Sequence, residues 1–545
     1  MNFEQKLKKQ QYAELWQEYC GFLDLTISEY MQIQNRLMLE QIQLWSECGL
    51  GCKLLRGERP QTIDEFRQAL PLTTFEDYAD VLLHKCTDML PAEPVIWIQT
   101  TWEGGKHPVK LAPYTKSMLD VLRNNAVSCT ILSTSAERGK FSLLPNDKVL
   151  FGLAPLPYAT GLIPLLLDEE ISFNFLPPVN EALKMTFGER NRKGFELGSR
   201  SGIDLFFGLS SVISYITENF NAHSSKHSSN AKNSLHTYSP KMVLRYLAAK
   251  YKSKRDGIPI KPKDIFKLKG LICAGTDTKY YKPSLEEAWG CRPLEIAAGT
   301  EPTCIGTETW ARDGLVFFPD ACFYEFIPEQ EMLKNMADPN YQPKTYLMDE
   351  LLPNNNYELV ISVLKGGAFA RYRVGDMYRC LGVVNESKGI TLPKFAFVDR
   401  VPSIIDIAGF TRITEETISD VVHLSGLNIH NWLALKEYNE NQRPYLHMLV
   451  EMEPKGIEST AVSKQVLTEH LSVYFNYLDN DYNDLKKLLG IEPLEITILR
   501  FGTIDAYQKA TGVNLRRINP SFYDVSELLQ FQQKSFDREK GGNWR

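Results

Sequence analysis

The sequence lacks the features that define several protein classes. Its 545 residues carry a formal net charge of −6 at pH 7 without a basic domain, so we expect no nucleic-acid surface. Its ten cysteines are far apart, and only Cys48 and Cys52 are close, with no second pair to complete a zinc site. We therefore expect reduced, mostly buried thiols and a cytoplasmic protein. The N-terminus has no apolar run behind a basic start, so we expect no signal peptide.

The chain also lacks an apolar run that could form an unbroken membrane helix. Residues 149–167 hold no charge, and their length would on paper cross a bilayer. However, Pro155, Pro157 and Pro164 interrupt the run, and Gly152 and Gly161 lie within it. These residues break a helix that has no helical neighbours to compensate for it. We therefore predict a buried strand, a turn and a helix, and no membrane partner.

The composition is that of a globular protein with more than one domain. Apolar residues make up 43% and charged residues 23%, which excludes disordered and coiled-coil classes. Residues 3–48 have apolar positions at helical spacing, although Gln34 and Gln41 interrupt the stripe and predict only partial burial. From about residue 94 to 400, short β-rich runs alternate with helical stretches, which predicts an α/β layer architecture. Residues after about 400 predict a small α+β domain.

Two short motifs place hydroxyl and carboxylate side chains at the ends of predicted strands. Gly299, Thr300 and Glu301 follow a strand, where Thr300 could bind a phosphate oxygen and Glu301 could hold Mg²⁺, a cation that prefers oxygen ligands. Asp376 follows Gly375 just past another strand, where its carboxylate could accept both ribose hydroxyls. Each motif alone is also compatible with an ordinary turn. In this order, the two motifs indicate an enzyme that activates a carboxylic acid with ATP.

Two further segments could contact the nucleotide. Ala274, Gly275 and Thr276 follow a strand, and small residues there let a flat ring approach the backbone. The segment with Thr100, Thr101, Gly104, Gly105 and Lys106 also follows a strand, and its hydroxyls, glycines and lysine could cradle phosphates. Its spacing is not that of a Walker A loop. Trp102 and Glu103 are bulky and acidic where an anion-binding loop favours Gly and Thr.

Together these residues resemble the GH-three family of acyl-acid amido synthetases, a branch of the acyl-adenylate-forming superfamily. Residues 357–360 (YELV) and 372–376 (YRVGD) carry the most specific similarity. Residues 66–78, 100–115, 154–162, 398–400 and 501–517 are similar to further family segments, so the resemblance covers most of the chain.

The resemblance implies an α/β fold with two domains. Residues 1–399 would form a large N-terminal adenylate-forming domain, layered αβ with a β-barrel-like part, and residues 400–545 a small α+β lid domain. It also implies a ligase that uses ATP and Mg²⁺ to convert a carboxylic acid to an acyl-adenylate and transfers the acyl group to an amine. We expect no nucleic-acid partner and favour a monomer. A thiol or alcohol acceptor and a non-catalytic nucleotide-binding protein remain the alternatives.

The family pattern assigns roles to particular residues of this chain. The resemblance implies catalytic roles for Glu301, Lys110 and Arg517, metal binding by Glu301, and contact of Arg400 with ribose and phosphate. We expect an apolar acid pocket near Tyr158, Thr160 and Phe207. The chain departs from the pattern in three places: Trp102 and Glu103 lie in the phosphate loop, Ala297 replaces an aromatic residue, and an arginine occupies a lysine position. This arginine is Arg517, although Arg516 aligns nearly as well. Arginine is always charged and forked, so it cannot copy the geometry of lysine.

Overall fold

The computed structural model describes residues 3–100, 107, 109–218, 220, 238–384, 388–409, 411–453, 464–478 and 493–542. Two compact units divide the chain, one within residues 1–100 and 110–399 and the other within residues 400–545 together with His107 and Val109. All ten cysteines are free thiols, and seven of them are buried. None of the helices in the described ranges combines the length and apolar character that a membrane span requires.

The first unit contains fifteen strands and a series of helices. Its described strands are β1 Ile96–Gln99, β2 Leu111–Tyr114, β3 Ser135–Glu137, β4 Lys140–Phe141, β5 Lys148–Gly152, β6 Asn174–Leu176, β7 Leu205–Leu209, β8 Gly270–Ala274, β9 Leu294–Gly299, β10 Thr303–Glu308, β11 Leu315–Phe317, β12 Cys322–Pro328, β13 Asn356–Val363, β14 Tyr372–Gly382 and β15 Lys394–Arg400. Its described α-helices span Phe3–Lys8, Tyr12–Cys20, Ile27–Glu47, Gly49–Leu54, Ile63–Ala69, Ala79–Leu83, Lys116–Ser133, Ile163–Glu170, Val179–Ala182, Phe187–Ser201, Ser210–Glu218, Pro240–Asp256, Pro262–Ile265, Thr278–Trp289 and Glu329–Ala337.

Eleven of these strands form one mixed sheet. Its order is β12-β13-β14-β15-β11-β10-β9-β8-β7-β5-β6. Strands β6, β5, β7, β8 and β9 pair in parallel. Strand β9 pairs antiparallel with β10, and the pairs β10–β11, β11–β15, β13–β14 and β12–β13 are also antiparallel. The turn between β9 and β10 therefore joins a parallel half of the sheet to an antiparallel half.

Helices cover both faces of the parallel half. Alternate residues of a strand point to opposite faces, so Phe151 and Phe207 belong to one apolar core whereas Leu150 and Phe206 belong to another. Helix Lys116–Ser133 contributes to the first core, and helices Pro240–Asp256 and Thr278–Trp289 contribute to the second. Burial on both faces explains why these strands are continuous apolar runs. The predicted α/β layer architecture is confirmed. The β-barrel-like part is not found among the described strands, since β10 to β15 belong to the same open sheet as the parallel half.

The N-terminal helical segment is more deeply buried than the sequence predicted. Helix Ile27–Glu47 begins with a capping box between Thr26 and Glu29. Gln34 donates to the carbonyls of Pro319 and Cys322, and Gln41 accepts from the Gly366 N–H and donates to the Gly367 carbonyl. Both side chains are only 1% exposed. The prediction of partial burial was wrong because distant backbone groups satisfy these amides, which removes the cost of burying them.

The second unit is a small α+β fold. It contains β16 Ile404–Ile407, β17 Thr411–Thr414, β18 Ile429–Tyr438, β19 Pro444–Met452 and β20 Leu494–Leu499, with helices Glu415–Ser425, Lys464–Leu478, Thr503–Thr511 and Phe522–Gly542. Strands β18, β19 and β20 form a sheet in which β19 and β20 are parallel. The first two helices pack on one face of this sheet, and the last two pack on the other. The predicted α+β character of this region is confirmed.

Candidate active site

The turn that joins the two halves of the sheet carries the Gly299–Thr300–Glu301 motif. Gly299 ends β9, Thr303 begins β10, and the two residues pair with each other. The carbonyl of Thr300 accepts a hydrogen bond from the Tyr114 hydroxyl at 2.5 Å. Burial, and secondarily the charge of Glu301, raise the pKa of Tyr114 well above its usual value, so this phenol remains a donor. The motif therefore lies in a β-hairpin, whereas its ordinary alternative was a turn that leads into a helix.

A hydrogen bond connects this motif to the second one. The Tyr372 hydroxyl donates to Glu301 Oε1 at 2.9 Å, across 71 residues of sequence. Tyr372 is 2% exposed and Glu301 8% exposed, so the bond is shielded from water. The Tyr372 ring also packs against Phe369 and Tyr78. The hydroxyl thus holds a buried carboxylate at the centre of the mixed sheet.

Asp376 lies in a bulge of β14. Glu358 pairs with Met377 and Val360 pairs with Arg373, so β14 carries two more residues than β13 over this stretch. Gly375 has φ of +80°, which glycine adopts without the steric cost of a side chain. Bulges of this kind redirect side chains away from the ordinary alternation of a strand. The sequence Gly375–Asp376 therefore presents the carboxylate at an irregular point of the strand.

The two arginines next to this bulge are ion-paired within the sheet. Arg373 donates from Nε and Nη2 to the two carboxylate oxygens of Glu358, both at 2.7 Å. Arg371 pairs in the same two-pronged way with Glu325 at 2.9 Å, and Arg67 also donates to Glu325 at 3.0 Å. Neither ion pair was predicted from the sequence. Glu325 and Glu358, each enclosed by apolar residues in a strand, were the signal for buried partners.

The predicted phosphate loop connects the antiparallel strands β1 and β2. Thr100 and Lys110 face each other at its base: the Thr100 N–H donates to the Lys110 carbonyl, and the Lys110 N–H donates to Thr100 Oγ1, both at 3.0 Å. The Lys110 ammonium lies 5.7 Å from the centre of the Phe75 ring. The remaining predicted phosphate ligands are outside the described residues, namely Thr101, Gly104, Gly105 and Lys106, as are Trp102 and Glu103.

Ala274 ends β8, and Gly275 and Thr276 follow it, just before the helix that begins at Thr278. Gly275 has φ of +123°, a backbone conformation that a side chain would strain. Its carbonyl accepts from the Thr278 hydroxyl at 2.7 Å, and the Ala274 carbonyl accepts from Ser210 Oγ at 3.2 Å. Strands β8 and β9 are neighbours, so this turn and the Gly299 motif lie at the same edge of the sheet. Ala297, at the position of the family's aromatic residue, is buried.

The three residues predicted for the acid pocket have different environments. Tyr158 is partly exposed. Thr160 donates its hydroxyl to the Ala154 carbonyl at 2.9 Å and thereby closes its own turn. Phe207 is only 3% exposed and packs against Phe151 with ring centres 6.0 Å apart. Of the three, Phe207 contributes to the apolar core under the sheet edge.

Two predicted residues belong to the second unit. The Arg400 side chain is 8% exposed, and its Nε lies 3.9 Å from Oδ2 of the fully buried Asp406. Arg517 is half-exposed, lies 3.6 Å from Glu415, and has its guanidinium 5.4 Å from the centre of the Trp432 ring. Arg400 therefore has a buried carboxylate nearby, and Arg517 sits on the surface of its unit.

A metal site made from protein ligands alone is not found in the described ranges. No group of three or more His, Cys, Asp or Glu side chains there could hold an ion. Glu301 stands as a single carboxylate. Mg²⁺ commonly binds through one or two carboxylates together with substrate phosphates, so a lone carboxylate is compatible with that mode.

Comparison with solved structures supports the fold assignment. GH3.15 acyl acid amido synthetase aligns with a TM-score of 0.51 at 16% identity, over 94% of this chain and 95% of that chain. Its structure in complex with 2,4-DB aligns with a TM-score of 0.50 at 15% identity, over 92% and 93%. The structure of 2-hydroxyisobutyryl-CoA ligase with 2-HIB-AMP and CoA aligns with a TM-score of 0.56 at 14% identity, over 92% of both chains.

These similarities define the class of fold and the family resemblance. The chain shares the α/β fold of these structures along nearly its whole length. Residues 315–400, which contain β11 to β15 and the Asp376 bulge, match the GH3 family central domain. The resemblance to the GH-three family predicted from the sequence is therefore confirmed over these residues. No curated protein sequence matches the chain.

Proposed function

We propose that this protein is an ATP-dependent ligase that activates a carboxylic acid as an acyl-adenylate and transfers the acyl group to an amine. The observation that carries the proposal is the hydrogen bond between Tyr372 and Glu301. It brings together the two motifs that the sequence assigned to the metal and the ribose. The match of residues 315–400 to the GH3 family central domain supports the same assignment.

In this proposal, two carboxylates and a hydroxyl of the chain position the nucleotide. Asp376 accepts hydrogen bonds from both ribose hydroxyls, and the bulge around Gly375 gives its side chain the required direction. The Tyr114 contact fixes the backbone of Thr300. The Thr300 hydroxyl is thereby held where it donates to a phosphate oxygen. Fixing the α-phosphate relative to the acid makes the attack of the carboxylate effectively intramolecular, which is the main source of rate in such a step.

The residues present also fit Mg²⁺. Glu301 would bind the ion through its carboxylate, with phosphate oxygens as further ligands. When bound, the ion would neutralise charge that develops on the phosphates during adenylation. The Tyr372 hydroxyl would keep the Glu301 carboxylate in one orientation for this task. Lys110, at the base of the β1–β2 loop, would add positive charge to the phosphate region.

The second half-reaction requires an acceptor nucleophile. An amine that arrives neutral attacks the acyl carbon, the bond to AMP breaks, and a proton leaves the nitrogen. We propose that residues 400–545 act as a lid for this step, with Arg400 and Arg517 contributing charge to the phosphate. The second unit is a compact body with its own cores, which is what a mobile lid requires. A cytoplasmic monomer is part of the proposal, and size-exclusion chromatography with light scattering tests the monomer.

Acid-dependent exchange of pyrophosphate into ATP tests the first half-reaction. The wild-type protein is expected to exchange with at least one member of a broad panel of carboxylic acids. Asp376→Ala is expected to abolish exchange because the ribose loses both of its hydrogen bonds. Asp349→Ala, at an exposed aspartate, is the matched control and is expected to keep the wild-type rate. Absence of exchange with every acid, or a near-normal rate in Asp376→Ala, would contradict the proposal.

Product analysis distinguishes the acceptors. Mass spectrometry after incubation with ATP, the active acid, and an amine, a thiol or an alcohol is expected to detect the amide. A thioester instead would move the assignment to a thiol ligase, the activity that the name of the aligned 2-hydroxyisobutyryl-CoA ligase gives. Tight calorimetric binding of ATP and Mg²⁺ without any exchange would instead identify a non-catalytic nucleotide-binding protein.

A further inference from the structure

A small cavity lies at the β6 edge of the large sheet, beside the predicted acid segment. Its volume is about 90 Å³. Apolar residues of β5, β6, residues 155–165 and the helix Val179–Ala182 form its walls, among them Phe151, Phe175 and Pro164. Arg190 is the one charged or polar side chain in this lining of described residues. A single cation in an otherwise apolar cavity is an unusual and costly arrangement.

Arg190 is buried without a counter-charge. Its relative exposure is 4%, and within the described ranges no group accepts a hydrogen bond from its Nε or Nη2. The guanidinium lies 5.7 Å from the centre of the Phe151 ring and 5.8 Å from that of Phe187. These two ring contacts favour a cation at this position, but they leave the N–H donors unsatisfied.

The local fold forces this placement. Thr186 and Glu189 form a capping box that starts helix Phe187–Ser201, with Arg190 in its first turns. Gly194 lets the helix lie directly on β6, because a Cβ there would come within 2.4 Å of the Leu176 carbonyl oxygen. Arg190 is therefore held over Phe151 by close backbone packing, and its side chain does not reach the surface.

The unsatisfied atoms define the shape of a partner. Nε and Nη2 form one edge of the planar guanidinium, and their N–H bonds match the two oxygens of a carboxylate. Burial lowers the pKa of Arg190 to about 10, so the group still carries its charge at neutral pH. An anion with two adjacent oxygens would satisfy both donors and the charge at once.

We propose that this cavity binds a small apolar monocarboxylate, with its carboxylate on the Nε and Nη2 edge of Arg190 and its hydrocarbon part against Phe151 and Phe175. The volume sets the size of the ligand. A water molecule takes roughly 30 Å³, and cavities of roughly 150 Å³ accommodate benzene, which has six heavy atoms. On that scale, a cavity of about 90 Å³ suits an acid of about four heavy atoms, the size of acetate.

A carboxylate on Arg190 would lie away from the predicted nucleotide residues, although the cavity borders the predicted acid segment. The cavity is beside β5 and β6, whereas the predicted nucleotide residues follow β8 and β9. Two to four strand spacings separate them, or roughly 10 to 19 Å across the sheet, which is too far for this carboxylate to attack the α-phosphate. The bound acid is then a regulator or a stabilising ligand, and its binding depends neither on ATP nor on the proposed ligase activity.

Calorimetric titration of the full chain without ATP tests the site. Acetate is expected to bind, and acetamide, which has the same shape without the charge, is expected to bind about tenfold more weakly or not at all. Inorganic phosphate is the third arm, and it is expected to be excluded because the apolar wall cannot solvate its additional charge. Equal affinity for acid and amide, tighter binding of phosphate than of acetate, or absence of acetate binding would overturn the proposal.

Two variants assign the binding to this cavity. Arg190→Gln is expected to weaken acetate binding about tenfold or more, whereas Arg192→Gln, at an exposed position of the same helix, is expected to leave it unchanged. Ala182→Leu keeps Arg190 and fills part of the cavity, so it is expected to abolish binding as well. This second variant decides the question if Arg190→Gln fails to fold. Unchanged acetate affinity in Ala182→Leu would place the ligand elsewhere and refute the assignment.

Discussion

Replacing Tyr372 with phenylalanine removes one hydroxyl from the centre of the candidate site. The phenyl ring keeps its contacts with Phe369 and Tyr78, so the packing of β14 is preserved. What is lost is the donor to Glu301 Oε1, which lies 2.9 Å away. The carboxylate can then rotate away from the orientation in which we propose that it holds Mg²⁺.

The magnitude follows from the burial and the charge of this hydrogen bond. Hydrogen bonds to charged groups contribute about 1.5–3 kcal/mol. Both partners are largely buried, at 2% and 8% exposure, so water cannot readily replace the lost donor. If this energy is used to orient Glu301 for adenylation, the maximal exchange rate falls about tenfold to hundredfold, since each 1.4 kcal/mol is a factor of ten. The KM for the acid should change little, because Tyr372 is not a predicted acid ligand.

The assay is pyrophosphate exchange at saturating acid, with the KM for ATP and for acid measured separately. Tyr357→Phe is the matched control, because Tyr357 is also buried and lies on the neighbouring strand β13. This variant loses the hydrogen bond that the Tyr357 hydroxyl accepts from the Leu352 N–H. It is expected to lower stability by a comparable amount without slowing exchange. Exchange by Tyr372→Phe within twofold of the wild type, or an equal loss in both variants, would refute the positioning role.

Three further predictions concern the framework around the site. Gly375→Ala places a side chain on a residue with φ of +80°. We expect it to lower the free energy of unfolding by about 1 kcal/mol or more and to weaken ATP binding in calorimetry. Gln41→Leu leaves the Gly366 N–H without its acceptor and should cost about 1–3 kcal/mol in denaturant unfolding. Glu325→Gln should cost about 3–5 kcal/mol because Arg371 becomes an uncompensated buried charge. Burial alone would raise the pKa of Glu325, but Arg371 and its hydrogen bonds hold it below 4.5, so this stabilisation is present above pH 4.5 and is lost as the pH falls below it.

Each of these predictions is checked by a control variant or by a contradicting result. Gly257→Ala changes a glycine of positive φ at a helix end far from the β14 bulge, and it should leave ATP affinity unchanged. Wild-type stability in Gln41→Leu would mean that the Gly366 N–H finds another acceptor. For Glu325, the wild-type protein should lose stability between pH 4.5 and more acidic values, and the Gln variant should show a shallower loss. Parallel pH curves for the two proteins would contradict the assignment.

The periodicity of the sequence was sufficient for the elements but not for their junctions. The α/β alternation and the compact α+β tail followed from apolar runs and turn residues, because those patterns reflect burial directly. The hairpin between β9 and β10 was not predicted, since a strand followed by Gly-Thr-Glu usually suggests a helix. Pairing partners are non-local, so a single strand cannot reveal whether its neighbour will be parallel or antiparallel.

In the candidate site, the residue types could be predicted from the sequence, but their contacts could not. Glu301 and Asp376 were predicted as site residues because a carboxylate after a strand has a chemical use, and these roles stay predictions. Tyr372 was quoted as part of a motif, yet its contact with Glu301 depends on bringing together strands that are distant in sequence. Arg190 was not recognised at all: in the sequence it is one of several charged residues of an ordinary surface helix, and only the close packing allowed by Gly194 explains its burial.

The contacts of the N-terminal helix have a consequence for how the chain is synthesised. Gln41 binds the Gly367 carbonyl, a partner 326 residues further along the chain. At roughly 5–20 residues per second, a ribosome needs about 16 to 65 seconds to make that partner after it has made the helix. During this interval the apolar face of helix Ile27–Glu47 is not yet covered by the later residues that it packs against in the folded protein. The newly made N-terminus is therefore a natural client for chaperones, and its fold is completed only when most of the first unit has been synthesised.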